Sequence, residues 1–123
     1  MIDLDLEAKR CYLCKNPRCK AHCPISTPVP EVIALFKEGK IDEAGEMLFK
    51  NNPLSLVCSI VCPHEDQCRG NCIRGIKDEP VSFCEIETRI SQEYLENLKL
   101  EKEAEFEERV AIIGGGPAGI TIA

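Results

Sequence analysis

Residues 11–24 read CYLCKNPRCKAHCP, four thiols and a closing proline within fourteen residues. The spacing is C-x2-C-x4-C-x3-C-P. A tetrahedral zinc site draws on two C-x2-C style pairs, and only Cys11 and Cys14 stand that close. Iron–sulfur clusters are larger than one ion and accept wider intervals. The bacterial ferredoxin run C-x2-C-x2-C-x3-C-P sends its fourth cysteine to a different cluster. The quoted stretch follows that plan with two residues added to the middle gap, and Pro24 behind Cys23 strengthens the match. Iron–sulfur ligation divided between two centres is the reading it favours over zinc.

The remaining thiols complete the pattern. Cys58, Cys62, Cys68 and Cys72 form a second group and Cys84 stands apart, giving nine cysteines in 123 residues. Seven well-placed thiols exceed the needs of one four-iron cluster and fall one short of two. Crossed ligation assigns Cys11, Cys14 and Cys19 to one cluster with Cys72 as fourth ligand, and Cys23, Cys62 and Cys68 to the other. Cys58, Cys84 and Glu87 are the candidates for the eighth ligand. Cys84 and Glu87 lie three apart on a helix beginning near Ser82, and by softness alone the thiolate of Cys84 leads.

Composition narrows the function classes. With no Trp, two Tyr and four Phe the chain can bury only a modest core, so something besides apolar packing is expected to hold it together. A formal charge of −6, from 15 Lys and Arg against 21 Asp and Glu, argues against a nucleic-acid partner. MIDLDLEAKR at the start carries no secretion signal, and no run approaches the roughly 20 apolar residues of a membrane span. A reducing, cytoplasmic setting is expected. There, close-set cysteines bind metal or do redox chemistry more often than they form disulfides, and an odd count weakens a disulfide framework further. His22 and His64, beside ligand cysteines, are expected to hydrogen-bond or face solvent. Lys15, Arg18, Lys20 and Arg69 could offset the charge of a thiolate-bound cluster or serve as surface charge.

The intervening sequence is helical. Val29, Val32, Ile33 and Phe36 fall at i, i+3, i+4 and i+7, with Thr27 as a candidate cap, Pro28 at the first position and Gly39 as the stop. A second helix is expected over IDEAGEMLFKNNP, capped by Asp42, with Ala44, Met47 and Leu48 on one face. The second cysteine group reads as a short helix running into irregular loop. Phe83, Ile86, Ile90 and Tyr94 mark a third helix, continued by Leu95 and Leu98. Residues 99–109 are charge-rich and read as a helical linker leaving the domain. RVAIIGGGPAGITIA then changes character: Val110 to Ile113 suit a buried strand, and Gly114, Gly116 and Gly119 supply G-x-G-x-x-G ahead of a helix. That is the opening of a Rossmann-type dinucleotide-binding unit, truncated at residue 123. One strand and one loop cannot build its pocket.

The two cysteine groups, NPLSLVCSIVCPHEDQCRGNC, EPVSFCEIETRI and VAIIGGGPAGITIA together closely resemble the N-terminal region of the glutamate synthase small subunit (beta chain) family. That region is shared with dihydropyrimidine dehydrogenase and with the large subunit of the NADH-dependent ferredoxin:NADP oxidoreductase. The resemblance covers nearly the whole chain from Cys11 onward. It implies a mainly α architecture, an alpha-helical ferredoxin domain over residues 1–98 with two 4Fe-4S clusters, ahead of FAD and NAD(P)H domains that start at residue 110. It implies an electron-transfer module of an NAD(P)H-dependent iron–sulfur flavoprotein oxidoreductase that passes electrons between FAD and a large catalytic subunit or second domain. No residue of this segment is then catalytic, and the segment is not expected to be active alone. The family places a Gln or Glu seven residues after the proline that here is Pro80, which moves the eighth ligand from Cys84 to Glu87. Cys58 and Cys84 become buried helix thiols. A competing function of another class is a docking domain folded around zinc or a single cluster, without redox chemistry.

Overall fold

A computed structural model describes residues 1–99 and 106–123. Seven helices follow in order: α1 (Leu4–Lys9), α2 (Arg18–Ala21), α3 (Val29–Lys37), α4 (Ile41–Asn51), α5 (Ser55–Val61), α6 (Phe83–Asn97) and α7 (Pro117–Ile122), with a 3-10 turn at Ile73–Ile76 between α5 and α6. Among the described residues there is no strand, and no helix is long and apolar enough to cross a membrane.

The apolar stripes read from the sequence form one core. Val29, Val32, Ile33 and Phe36 of α3 meet Ala44 and Leu48 of α4 and Phe83, Ile86 and Ile90 of α6. The long helix α6 packs against α4 on one side and α5 on the other, while α1 bridges α3 and α6. Cys11, Cys19 and Cys72 pack against this core from its edge.

Glu7 ties the first helix to the last of the bundle. Its buried carboxylate accepts the Ser82 backbone N–H at 2.7 Å and both Arg10 contacts at 2.8 and 3.0 Å. Arg10 also donates to the Glu79 carbonyl, so the segment before α6 is held by both ends of one ion pair. Charge-assisted bonds of this kind offset the desolvation of the pair only because its remaining lone pairs are filled. Asp3 starts α1, accepting the N–H groups of Asp5 and Leu6 at 3.0 Å each.

Three local expectations need correction. Thr27 does not cap α3; the helix begins after Pro28, and the Thr27 hydroxyl lies 3.3 Å from Cys23 Sγ instead. Asp42 does not cap α4 either, since the helix starts at Ile41 and places Asp42 inside its first turn, beside the helix N-terminal dipole. Val110, Ile112 and Ile113 are exposed and form no strand, because a parallel strand needs neighbours to pair with. Residues 100–105 of the expected charged linker lie outside the described residues. Gly39, at φ +74°, ends α3 as expected.

α4 and α6 approach most closely at Gly45, where a Cβ would overlap Tyr94 at 2.6 Å from Cγ and 2.7 Å from Cδ2. Tyr94 is anchored there by its own backbone and by Phe49, with ring centroids 5.7 Å apart. Gly45→Ala gains about 1 kcal/mol of helix propensity. Overpacking of about 1–3 kcal/mol opposes it and should win. Denaturant unfolding of the metal-loaded chain is expected to show a lower midpoint for Gly45→Ala at unchanged slope.

Candidate metal centres

The cysteines are gathered around two cavities. Cys11 follows α1, Leu13 turns the chain at φ +49°, and Cys14 comes next; Cys19 sits on α2, and Cys72 immediately precedes the 3-10 turn. These four thiols line a cavity of about 110 Å3, together with Tyr12, Arg18 and Arg74. Cys23 lies just past α2, Cys62 caps the end of α5, Cys68 lies in the turns that follow, and Glu87 stands on α6. These four line a second cavity of about 130 Å3, with Cys58 and His64 on its wall. Each cavity thus gathers residues that the sequence groups together, and the second holds two of the three candidates for the eighth ligand, Cys58 and Glu87. Cys84 lines neither cavity.

Non-glycine residues with positive φ occur at two places, Leu13 and Ser26 at φ +52°, each within three residues of a site thiol. Such conformations cost on the order of 1 kcal/mol each and persist where surrounding structure over-determines them.

The electrostatics of both cavities call for positive charge. Burial pushes the thiols of Cys11, Cys19, Cys62 and Cys68 up, Cys19 to about 11 and Cys68 to about 12, with neighbouring thiols or Glu87 adding to the rise. A cysteine nucleophile needs the opposite shift. A thiol in such a place loses its proton when a metal supplies the compensating charge. Glu87 behaves likewise: burial pushes its carboxyl up to about 7, partly opposed by a hydrogen bond from Ser55. Ser55 Oγ donates to Glu87 Oε1 at 2.8 Å and lies 3.0 Å from Ser91 Oγ, all three residues being buried. One carboxylate oxygen is thereby anchored.

The donor chemistry fits an iron–sulfur cluster in each cavity. Among the described residues three buried side-chain nitrogens, His64 Nε2, Arg69 Nε and Arg74 Nε, lack a hydrogen-bond partner. His64 lines the second cavity and Arg74 the first, where sulfur acceptors would meet them. Among the described residues no three His, Cys, Asp or Glu side chains close on a single point, as zinc–sulfur bonds of about 2.3 Å demand. The donors surround a space instead.

Residues 3–99 match the family model described as dihydropyrimidine dehydrogenase domain II, 4Fe-4S cluster. The chain belongs to this family. Similar proteins include the glutamate synthase (NADPH) small chain of Escherichia coli strain K12, 35% identical over 120 residues, 95% of this chain and 25% of that protein. The NAD-dependent dihydropyrimidine dehydrogenase subunit PreT of Salmonella typhimurium strain LT2 is 33% identical over 116 residues, 93% of this chain and 28% of that protein. The glutamate synthase (NADPH) small chain of Azospirillum brasilense is 31% identical over 121 residues, covering 95% and 25%. The chain thus spans about a quarter of the length of these relatives.

Several residues near this family's cluster site escaped the sequence reading. Cys58 and Cys84 are partly buried and not the fully buried helix thiols expected; Cys58 lies on α5, which is short and turns Val57, Ile60 and Val61 to solvent, and Cys84 lies in the first turn of α6. Cys58 lies on the wall of the second cavity and accepts a hydrogen bond from Asn52 Nδ2 at 3.2 Å. Ser55, Ser91 and Arg74 carried no signal in isolation. Arg74 could have been suspected from its place two residues after Cys72. His22 keeps to its own helix, with Nδ1 2.9 Å from the Arg18 carbonyl, and Lys20 pairs with Glu31 at the surface.

Because each donor must shed a proton to bind metal, loading should tighten as pH rises. A chelator is expected to strip iron faster at about pH 6 than at about pH 8, where Glu87, at about 7, ionises more readily. Ser55→Ala removes a hydrogen bond to a charged group, worth about 1.5 kcal/mol, and should weaken iron retention at the second cavity about tenfold. Timed iron release with a chromogenic chelator reads both.

Proposed function

We propose that residues 1–98 form a domain that binds two 4Fe-4S clusters and serves as the electron relay of an NAD(P)H-dependent flavoprotein oxidoreductase of the glutamate synthase small-subunit type. Cys11, Cys14, Cys19 and Cys72 would hold one cluster, and Cys23, Cys62, Cys68 and Glu87 the other. Each cluster, when bound, takes up and releases single electrons without making bonds to a substrate. The observation that carries this reading is the division of the eight donors between two cavities.

The protein's own part is to hold the two sites close and dry. Cys19 and Cys23 are four residues apart, as are Cys68 and Cys72, and each pair contributes one thiol to each cavity. Phe83 and Val29 line the second cavity and Val81 the first, all three buried, which keeps water from the donors. Ser55 fixes the carboxylate of Glu87, leaving one oxygen free to bind iron.

Residues 110–123 are read as the opening of the FAD domain, to be completed by chain beyond residue 123. Support comes from Gly114, at φ +124°, and from Gly119, where any Cβ would strike the Gly114 carbonyl oxygen. Gly116 precedes α7 directly. Tight turn and close helix approach are what the first and third glycines of a dinucleotide-binding loop provide. The complete protein would receive hydride from NAD(P)H at FAD and deliver electrons to a large catalytic subunit or a second domain.

Anaerobic reconstitution of the chain should yield about eight irons and eight sulfides per molecule. Zinc without sulfide would instead establish the docking-domain reading. Glu87→Ala is expected to alter one of two electron paramagnetic resonance signals and spare the other, while Cys84→Ser leaves both; the reverse outcome would make Cys84 the ligand. Titration with FAD should show no tight one-to-one binding to these 123 residues, which calorimetry can check.

A further inference from the structure

The two cavities differ in charge. The first has two guanidinium groups on its wall, Arg18 and Arg74. Among the described residues the second has no Lys or Arg on its wall and carries the Glu87 carboxylate. Arg18 is exposed and its charge is screened by water, whereas the Arg74 side chain is only 22% exposed.

Arg74 is held from three directions. Nη1 donates to the Arg10 carbonyl at 3.2 Å, Nη2 donates to Asp78 Oδ2 at 2.9 Å, and the guanidinium carbon lies 5.2 Å from the centre of the Tyr12 ring. Tyr12 and Arg74 both line the first cavity. With the guanidinium so fixed, its Nε–H is the donor left buried without a partner. A fixed fork with one unspent N–H beside four thiols suits a sulfur acceptor.

The geometry points to Arg74 as the residue that sets the two centres apart: its Nε–H donates to the cluster held by Cys11, Cys14, Cys19 and Cys72 and makes that centre the easier of the two to reduce. This rests on the two-cluster reading above. Reduction adds negative charge, so a nearby cation and a hydrogen bond to sulfur both favour the reduced form. The second centre, which has His64 but no Lys or Arg on its wall among the described residues, lacks the cation. Electrons entering the domain therefore settle at the first centre. Arg74 acts as a positioning and tuning residue and touches no substrate.

The test is a redox titration of the reconstituted full chain followed by electron paramagnetic resonance, with Glu87→Cys used to mark the second-centre signal. In the unaltered chain the unmarked signal should appear at the higher potential. Arg74→Met should shift that midpoint down by a factor of about ten in the reduction equilibrium, about 59 mV, and leave the marked signal in place. Arg74→Lys keeps the charge but not the Nε–H and should fall between. If Arg74→Met loses iron, Arg74→Gln at full iron content takes its place in the same comparison. Midpoints that move together or not at all overturn the role of Arg74, as does a second centre that titrates above the first. About four irons in the unaltered chain would overturn the two-cluster reading itself.

Discussion

Seven thiols and the Glu87 carboxylate line two cavities beside a core of eleven buried apolar residues, and among the described residues only Arg18 and Arg74 bring Lys or Arg charge to those walls. That constraint governs the rest of the molecule. Protonated, the donors are tolerable as small apolar groups along the edge of the bundle; ionised, they repel one another in a medium that screens poorly. The fold and its metal are therefore coupled. A bundle this small draws much of its folding free energy from the ligands it closes around. In the buried Glu87–Ser55–Ser91 chain and the Glu7–Arg10–Ser82 link, by contrast, polar groups are buried with partners already in place.

Much of this was legible in the sequence. The apolar periodicities located α3, α4 and α6 because each helix buries one stripe against the others, and the unequal cysteine intervals were enough to divide the thiols between two cavities. What could not be read were features that depend on how helices meet. Softness favoured Cys84 over Glu87, and their spacing along α6 offered no choice between them. What separates them in space is the packing of α5 on α6, which sets Ser55 against Glu87 at the second cavity while Cys84 lines neither cavity and its carbonyl accepts from Thr88. The caps expected at Thr27 and Asp42 failed for a related reason. Thr27 faces a cysteine across a turn, and α4 starts two residues early.

The helix at the N-terminus was not foreseen, though Asp3 and the acidic first turn after it are ordinary start signals. Its role became visible only through Glu7, whose carboxylate reaches across seventy-five positions of sequence to Ser82. The glycine loop near the C-terminus is the converse case. Its glycine pattern was legible, and Gly114 has positive φ while a Cβ at Gly119 would strike the Gly114 carbonyl, yet Val110 to Ile113 form no strand.

The intervals Cys19–Cys23 and Cys68–Cys72 carry a consequence for how such a chain can change over time. Each interval hands one thiol to each cavity across only four residues, and one inserted residue would displace the later thiol from its cavity. Two such intervals cross between the cavities, so a slip in one cannot be absorbed by the other. The stretch from Ile25 to Val61 and the approach to α6 pass no thiol from one cavity to the other and are under no such constraint. The two short intervals act as fixed gauges, and the helices between them are free to drift.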